Sequence, residues 1–202
     1  DVVRKLADAR IDHGAVQTHG TPRRLVLVVE AVAPRQKPKT EEVLGPPERV
    51  AIDAQGQYTL AARKFAEKVG IAVDRLRLSD TDKGRYLCAS ISDKGTTTNR
   101  LLQQILPEVI LSVPFPKTMR WSDMNIAFAR PIQSVLALLG KSVLAFTLGG
   151  RIKSGRMTWG HMFMHHKRIK IEAADEYLER MRQAQVIVDI ETRKQMVREE
   201  IA

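Results

Sequence analysis

A single cysteine, Cys88, is present. It excludes an internal disulfide and leaves no thiolate set for a structural zinc site, so a reducing compartment is the simple reading. Long apolar runs are missing too. The central run 135–139 is closed by Gly140 and Lys141, far short of the roughly 18–20 residues a membrane span needs. No charged start followed by an apolar core marks a secretory signal. The chain also lacks an initiating Met and both ends fall inside helical patterns, which reads as a piece of a longer chain. Several catalytic signatures are absent: no Gly-x-x-x-x-Gly-Lys-Ser/Thr loop, no Gly-x-Ser-x-Gly elbow and no His-Glu-x-x-His pair. Asp80, Asp82, Asp123 and Asp189 are scattered, so no pair of carboxylates for acid–base work can be placed. Ser154 and His161 lack an acid to orient them as nucleophile and base.

What is present is a globular composition. The 202 residues are 44% hydrophobic and 28% charged, which supports a real core in one medium domain or two small ones and argues against wholesale disorder. The net charge is +10 and unevenly spread. Residues 1–116 carry 18 basic and 14 acidic side chains, residues 171–202 carry five and eight, and residues 117–170 carry ten basic side chains against one acid, Asp123. A concentrated cationic segment raises local anion concentration and suits a polyphosphate partner; a solvated basic face is the plain alternative.

The periodicities predict a helix over 1–12 ended by His13-Gly14, a strand over 24–32 and a Pro-containing basic link over 34–39. Gly45-Pro46-Pro47 reads as a rigid turn. A helix follows over 59–69, capped by Thr59 and ended by Gly70. Residues 80–84 read as a polar turn before a strand over 85–91 that places Cys88 at least half buried. Residues 96–111 form a strong helix with Pro107 inside it. The runs 131–139 and 143–148 read as a hairpin, with a helix as the alternative for the first run, followed by strands over 152–159 and 167–171. A helix over 173–184 and a last helix from 190, capped by Asp189, complete the chain. The expected fold class is α+β, a mixed, largely antiparallel sheet with packed helices. The expected domains are 1–170, an α+β domain holding the basic block 117–170, and 171–202, a helical segment leading into a further domain.

Two constellations carry candidate chemistry. His161, His165 and His166 lie close in sequence, with Glu172 the nearest carboxylate; a metal site, as in a metal-dependent hydrolase, stays open as an alternative. In Phe115-Pro116-Lys117-Thr118-Met119-Arg120-Trp121, two cations stand beside an aromatic ring, the pairing that holds a phosphate and stacks on a base. Phe128-Ala129-Arg130-Pro131 repeats the theme. Burial of these rings in a core is the stronger alternative for the aromatics.

Thr21-Pro22-Arg23-Arg24-Leu25, Gly45-Pro46-Pro47, the 115–121 segment, Phe128-Ala129-Arg130-Pro131-Ile132, Gly160-His161-x-Phe163 and Val186-Ile187-Val188-Asp189 occur in one order. Together with Ala61-Ala62-x-x-Phe65-Ala66 and Thr81-Asp82-Lys83-Gly84, this set resembles the N-terminal region of the β subunit of bacterial tetrameric glycyl-tRNA synthetase. The resemblance covers nearly the whole chain. It implies a cytoplasmic α2β2 enzyme that joins glycine to its tRNA using ATP, with ATP and magnesium at the α-subunit active site. The implied partners are the α subunit and glycine tRNA, with no membrane. This piece is expected to hold no catalytic residue, no cofactor and no metal of its own. Lys117, Arg120, Arg130, Lys153, Arg156 and His161, and more weakly Arg23 and Arg24, are the candidates for contact with the tRNA backbone. A scaffold without RNA contact remains the competing expectation.

Overall fold

The computed structural model describes residues 1–201 apart from Ala54 and Lys83, and of Ser122 only the backbone. The chain begins with helix α1 (Val2–Asp8) and the hairpin β1 (Val16–Thr21) and β2 (Arg24–Val29). Strand β3 (Lys39–Pro47), the single turn α2 (Glu48–Ala51), helix α3 (Leu60–Val69) and strands β4 (Arg77–Thr81) and β5 (Gly84–Asp93) follow. Helix α4 (Thr98–Leu111) leads into the hairpin β6 (Met119–Trp121) and β7 (Ile126–Phe128). Short strands come next: β8 (Val135–Leu136), β9 (Leu138–Leu139), β10 (Ser142–Val143), β11 (Thr147–Leu148), β12 (Ile152–Gly155), β13 (Met157–Trp159) and β14 (Arg168–Lys170). Helices α5 (Tyr177–Gln183) and α6 (Ile190–Ile201) close the chain. Strand pairing is antiparallel except between β8 and β12, so the α+β class holds.

The elements fall into two compact units, residues 1–36 with 96–202, and residues 37–95. The sequence reading does not contain this division. The inserted unit is a three-stranded sheet, ordered β3-β5-β4. Leu87 and Ala89 of the central strand pack against Ala62 and Ala66 of α3 and against Ala51, with Phe65 and Tyr58 at the margin. Small residues predominate because the helix lies close on the sheet. Gly45, Pro46 and Pro47 are the end of β3, not a free turn. The ladder slips between Leu44 and Pro47, and β3 lies at the sheet edge, where a proline forfeits no ladder bond. A Cβ on Gly45 would sit 2.5–2.8 Å from three ring atoms of Phe65, so glycine here lets that ring close over the strand.

The larger unit holds two cores. Ile169, Ile171, Met181, Ala184, Val186 and Val188 form one; Leu6, Ile11, Leu102, Ala137 and Leu144 form the other. Helix α1 stops at Asp8, earlier than its apolar spacing suggests. Arg10 adopts φ 55° and the Ile11 N–H bonds back to the Leu6 carbonyl at 2.9 Å, a left-handed stop that swings Ile11 into the core. The predicted hairpin over 131–148 shrinks to the pairs Leu139–Ser142 and Leu138–Val143; β8 and β11 instead flank β12. Thr59 precedes α3 but does not cap it, because its hydroxyl donates to the Val50 carbonyl at 2.8 Å. Asp189 does cap α6, accepting the Thr192 N–H at 2.7 Å. The turn predicted at 80–84 joins β4 to β5, and its Lys83 lies outside the described residues. Among the described residues, no helix is long and apolar enough to cross a membrane.

Candidate nucleic-acid interface

The basic block is built on the short strands 135–170 of the larger unit. Strand β12 fixes one part of it. Ser154 turns inward, donating its hydroxyl to the Leu144 carbonyl at 2.7 Å and accepting the Phe146 N–H at 2.8 Å. Alternation then sends Lys153 outward, where it is exposed. The Ser154 hydroxyl is thus occupied by backbone and unsuited to a nucleophile's role.

The turn before β12 supplies a second cation. Gly149 has φ +53°, and a Cβ there would lie 2.8 Å from Ile126 Cδ1 and 3.0 Å from Met124 Cβ. This close approach to the β6–β7 hairpin brings Arg151 onto Asp123 in a two-pronged pair, 2.9 and 2.6 Å. The lone acid of the block is therefore already paired. Register supplies the third cation: Trp159 of β13 lies directly opposite Arg168 of β14. Residues so paired share a face, and the Arg168 guanidinium rests over the Trp159 ring, 5.2 Å from its centroid. The next residue along β14, Ile169, points the other way into the core.

Arg151, Lys153, Arg168 and Trp159, with Gln133 and Ser134, line one cleft of about 300 Å³. Among the described residues no carboxylate lines it, and residues 124–171 contain neither Asp nor Glu. Lys153 and Arg168 give this surface a positive character that suits an anion, while Asp123 offsets Arg151 and Arg168 covers one face of the Trp159 ring.

The sequence-predicted candidates separate into two groups. Arg23, Lys117, Arg120, Arg130 and Lys153 are exposed, and no side-chain partner holds them among the described residues. Of these only Lys153 lines the cleft. The other three are committed inside the fold. Arg24, half buried, donates to the carbonyls of Trp159 and of Gly160, the latter at 3.2 Å. Burial lowers its pKa, Tyr177 opposes the shift and Arg23 adds to it. Arg156 reaches the Glu172 carboxylate at 2.9 Å and the Lys141 carbonyl at 3.0 Å. The Lys170 ammonium, and after it the Arg156 guanidinium, holds the Glu172 carboxyl below the usual carboxylate range. His161 Nδ1 accepts the N–H groups of Phe163 and Met164 at 3.3 and 3.1 Å. No group of three metal-ligating side chains is assembled among the described residues, so His161, His165 and His166 do not converge on a common point.

The rings that drew attention in the sequence are half buried and engaged with one another. Trp121 donates its indole N–H to the Phe128 carbonyl at 2.8 Å. Phe115 meets Phe128 edge to face, centroids 4.7 Å apart. Arg151, Arg168 and Trp159 escaped the sequence reading; the signal available was the unbroken absence of acid across strands that had to lie side by side.

A family model described as glycyl-tRNA synthetase beta subunit matches residues 1–202. The chain is 47% identical over 195 residues to a glycine–tRNA ligase beta subunit of Desulfatibacillum aliphaticivorans, covering 96% of this chain and 28% of that protein. It is 45% identical over 200 residues to the one from Desulforapulum autotrophicum, 99% and 29%. For the Myxococcus xanthus beta subunit the figures are 42% over 200 residues, 99% and 28%. The chain thus spans somewhat under a third of the length of these relatives. With a match along all of its residues and this level of identity, the chain belongs to the glycyl-tRNA synthetase beta subunit family.

Proposed function

We propose that this chain is the N-terminal part of a glycine–tRNA ligase β subunit and contributes tRNA contact and α/β assembly to the ATP-dependent attachment of glycine to tRNA. ATP and magnesium belong, on this reading, to the α subunit's active site. The observation that carries the tRNA contact is the cleft lined by Lys153 and Arg168 beside Trp159, in which the one nearby acid, Asp123, is taken up by Arg151. Its cations bind the phosphate backbone and position the tRNA, while base readout lies elsewhere. Lys117, Arg120 and Arg130 are exposed as well and are further candidates for phosphate contact.

Lys153→Glu in the α2β2 enzyme tests this. Lys153 has no partner to lose, so thermal stability is expected to hold. Affinity for glycine tRNA and for an unrelated tRNA falls together, and the salt slope of binding drops by about one. Unchanged affinity and slope would assign this region to assembly alone.

A further inference from the structure

Beside the cleft, residues 160–167 form a turn that is tied by backbone hydrogen bonds and yet shows its apolar side chains to water. The Gly160 N–H bonds to the Lys167 carbonyl at 3.1 Å, the His165 N–H to the His161 carbonyl at 3.0 Å, and the His161 N–H to the Ala184 carbonyl at 2.9 Å. A Cβ on Gly160 would lie 2.5 Å from the His165 backbone oxygen, so the turn closes only with glycine there. His161 Nδ1 holds two further N–H groups from inside the loop. Against this scaffold Phe163 is 84% exposed, flanked by exposed Met162 and Met164.

The neighbours say what the ring faces. Trp159, which lines the cleft, lies 5.5 Å from the His166 ring, centroid to centroid, and His161 lies 6.3 Å from Phe163. Lys167 and Arg168 follow directly, both exposed. Rings at 159, 161, 163, 165 and 166 are followed by cations at 167 and 168, and Trp159 and Arg168 of this stretch line the positive cleft. Duplex RNA keeps its bases stacked on each other and offers a side chain only phosphates and sugar edges; an unpaired strand offers π-faces. Phosphate contact alone gives Phe163 nothing to do.

We propose that this turn and the adjoining cleft are a stacking site for a single-stranded stretch of RNA. A base stacks on Phe163, a second lies on the Arg168 guanidinium over Trp159, and Lys153 and Lys167 hold the connecting phosphates. This rests on the reading that this part of the chain touches tRNA, and it names the unpaired portion of that tRNA as what is touched here.

The test uses the α2β2 enzyme with three probes: glycine tRNA, an unstructured pyrimidine-rich RNA oligonucleotide and a blunt RNA hairpin. Phe163→Leu keeps an apolar side chain and removes the ring. It is expected to weaken oligonucleotide binding about fivefold or more, with the hairpin unaffected and thermal stability unchanged. Phe163→Tyr is expected to bind as the parent enzyme does. If Phe163→Leu binds the oligonucleotide normally, the stacking site is refuted; if Lys153→Glu still weakens tRNA binding, the broader tRNA contact survives that refutation, and if it does not, both fall. If instead Phe163→Ser loosens the α subunit while oligonucleotide affinity holds, the turn is a protein contact and the proposal is overturned.

Discussion

Replacing Arg24 by Ala tests whether this residue supports the fold of the candidate interface or would itself be a ligand for RNA. Its guanidinium is half buried and spans from β2 to the carbonyls of Trp159 and Gly160, the two residues that open the exposed turn. Gly160 itself is buried. Hydrogen bonds to a charged donor contribute roughly 1.5–3 kcal/mol each, and a buried carbonyl left without a donor costs about 1–3 kcal/mol. One of the two carbonyls is nearer to solvent and regains water, so the expected loss is about 2–4 kcal/mol. For a unit of this size that lowers Tm by several degrees, at roughly 2–4 °C per kcal/mol. Both bonds come from one nitrogen, Nη2, so Arg24→Lys, with three donors on its single nitrogen, is expected to recover part of the loss. The assay is paired: thermal unfolding of the Arg24→Ala enzyme, and its tRNA affinity measured well below the lowered Tm. The expected pattern is a large stability loss with a salt slope of tRNA binding equal to that of the parent. An unchanged Tm together with a shallower salt slope would refute the reasoning and make Arg24 a phosphate ligand.

Two other consequences concern the framework. Gly45→Ala should destabilise the inserted unit by about 1–3 kcal/mol, because the new methyl overlaps the Phe65 ring; urea unfolding measures it, Phe65→Leu in the same chain should relieve most of it, and equal stability of Gly45→Ala and parent would contradict it. Asp189 carries a pH dependence. The Thr192 N–H first, and His19 and Arg193 after it, hold its carboxyl below the usual range. A folded pKa below the unfolded one means stability that is fully present above about pH 4 and is lost as pH falls through the folded value. The Tm gap between parent and Asp189→Ala should therefore stay constant from neutral pH to about pH 5 and close in stronger acid; a gap unchanged by acid would show that the charge of Asp189 does not contribute.

Much of the fold is legible along the chain because local chemistry sets it. The β2 strand, the helix ended by Gly70 in the left-handed conformation and the Asp189 cap all follow from residues within one turn of each other. The failures have a common cause. Gly45-Pro46-Pro47 carries a turn signature, yet a partner strand on one side and the Phe65 ring recruit it as an edge strand. The run 131–148 has hairpin composition, but Ser154 ties residues 144 and 146 to β12 instead. The inserted unit 37–95 left no mark in composition, since a domain boundary is a property of contacts.

For the candidate interface, the sequence by itself determined the sign of the charge, the scarcity of acid over 117–170 and, through ordered motifs, the family. Those are sums and strings, and they do not depend on which way a side chain points. Only the tertiary structure decided which cations are free. Arg24 and Arg156 are spent on backbone carbonyls and Glu172, whereas Arg168 is aligned over Trp159 by a strand register. Trp121 is half buried and hydrogen-bonded to Phe128, and Phe163 is exposed on a turn that closes on Gly160. Burial and exposure are set by partners distant in sequence, and that is the information a linear reading lacks.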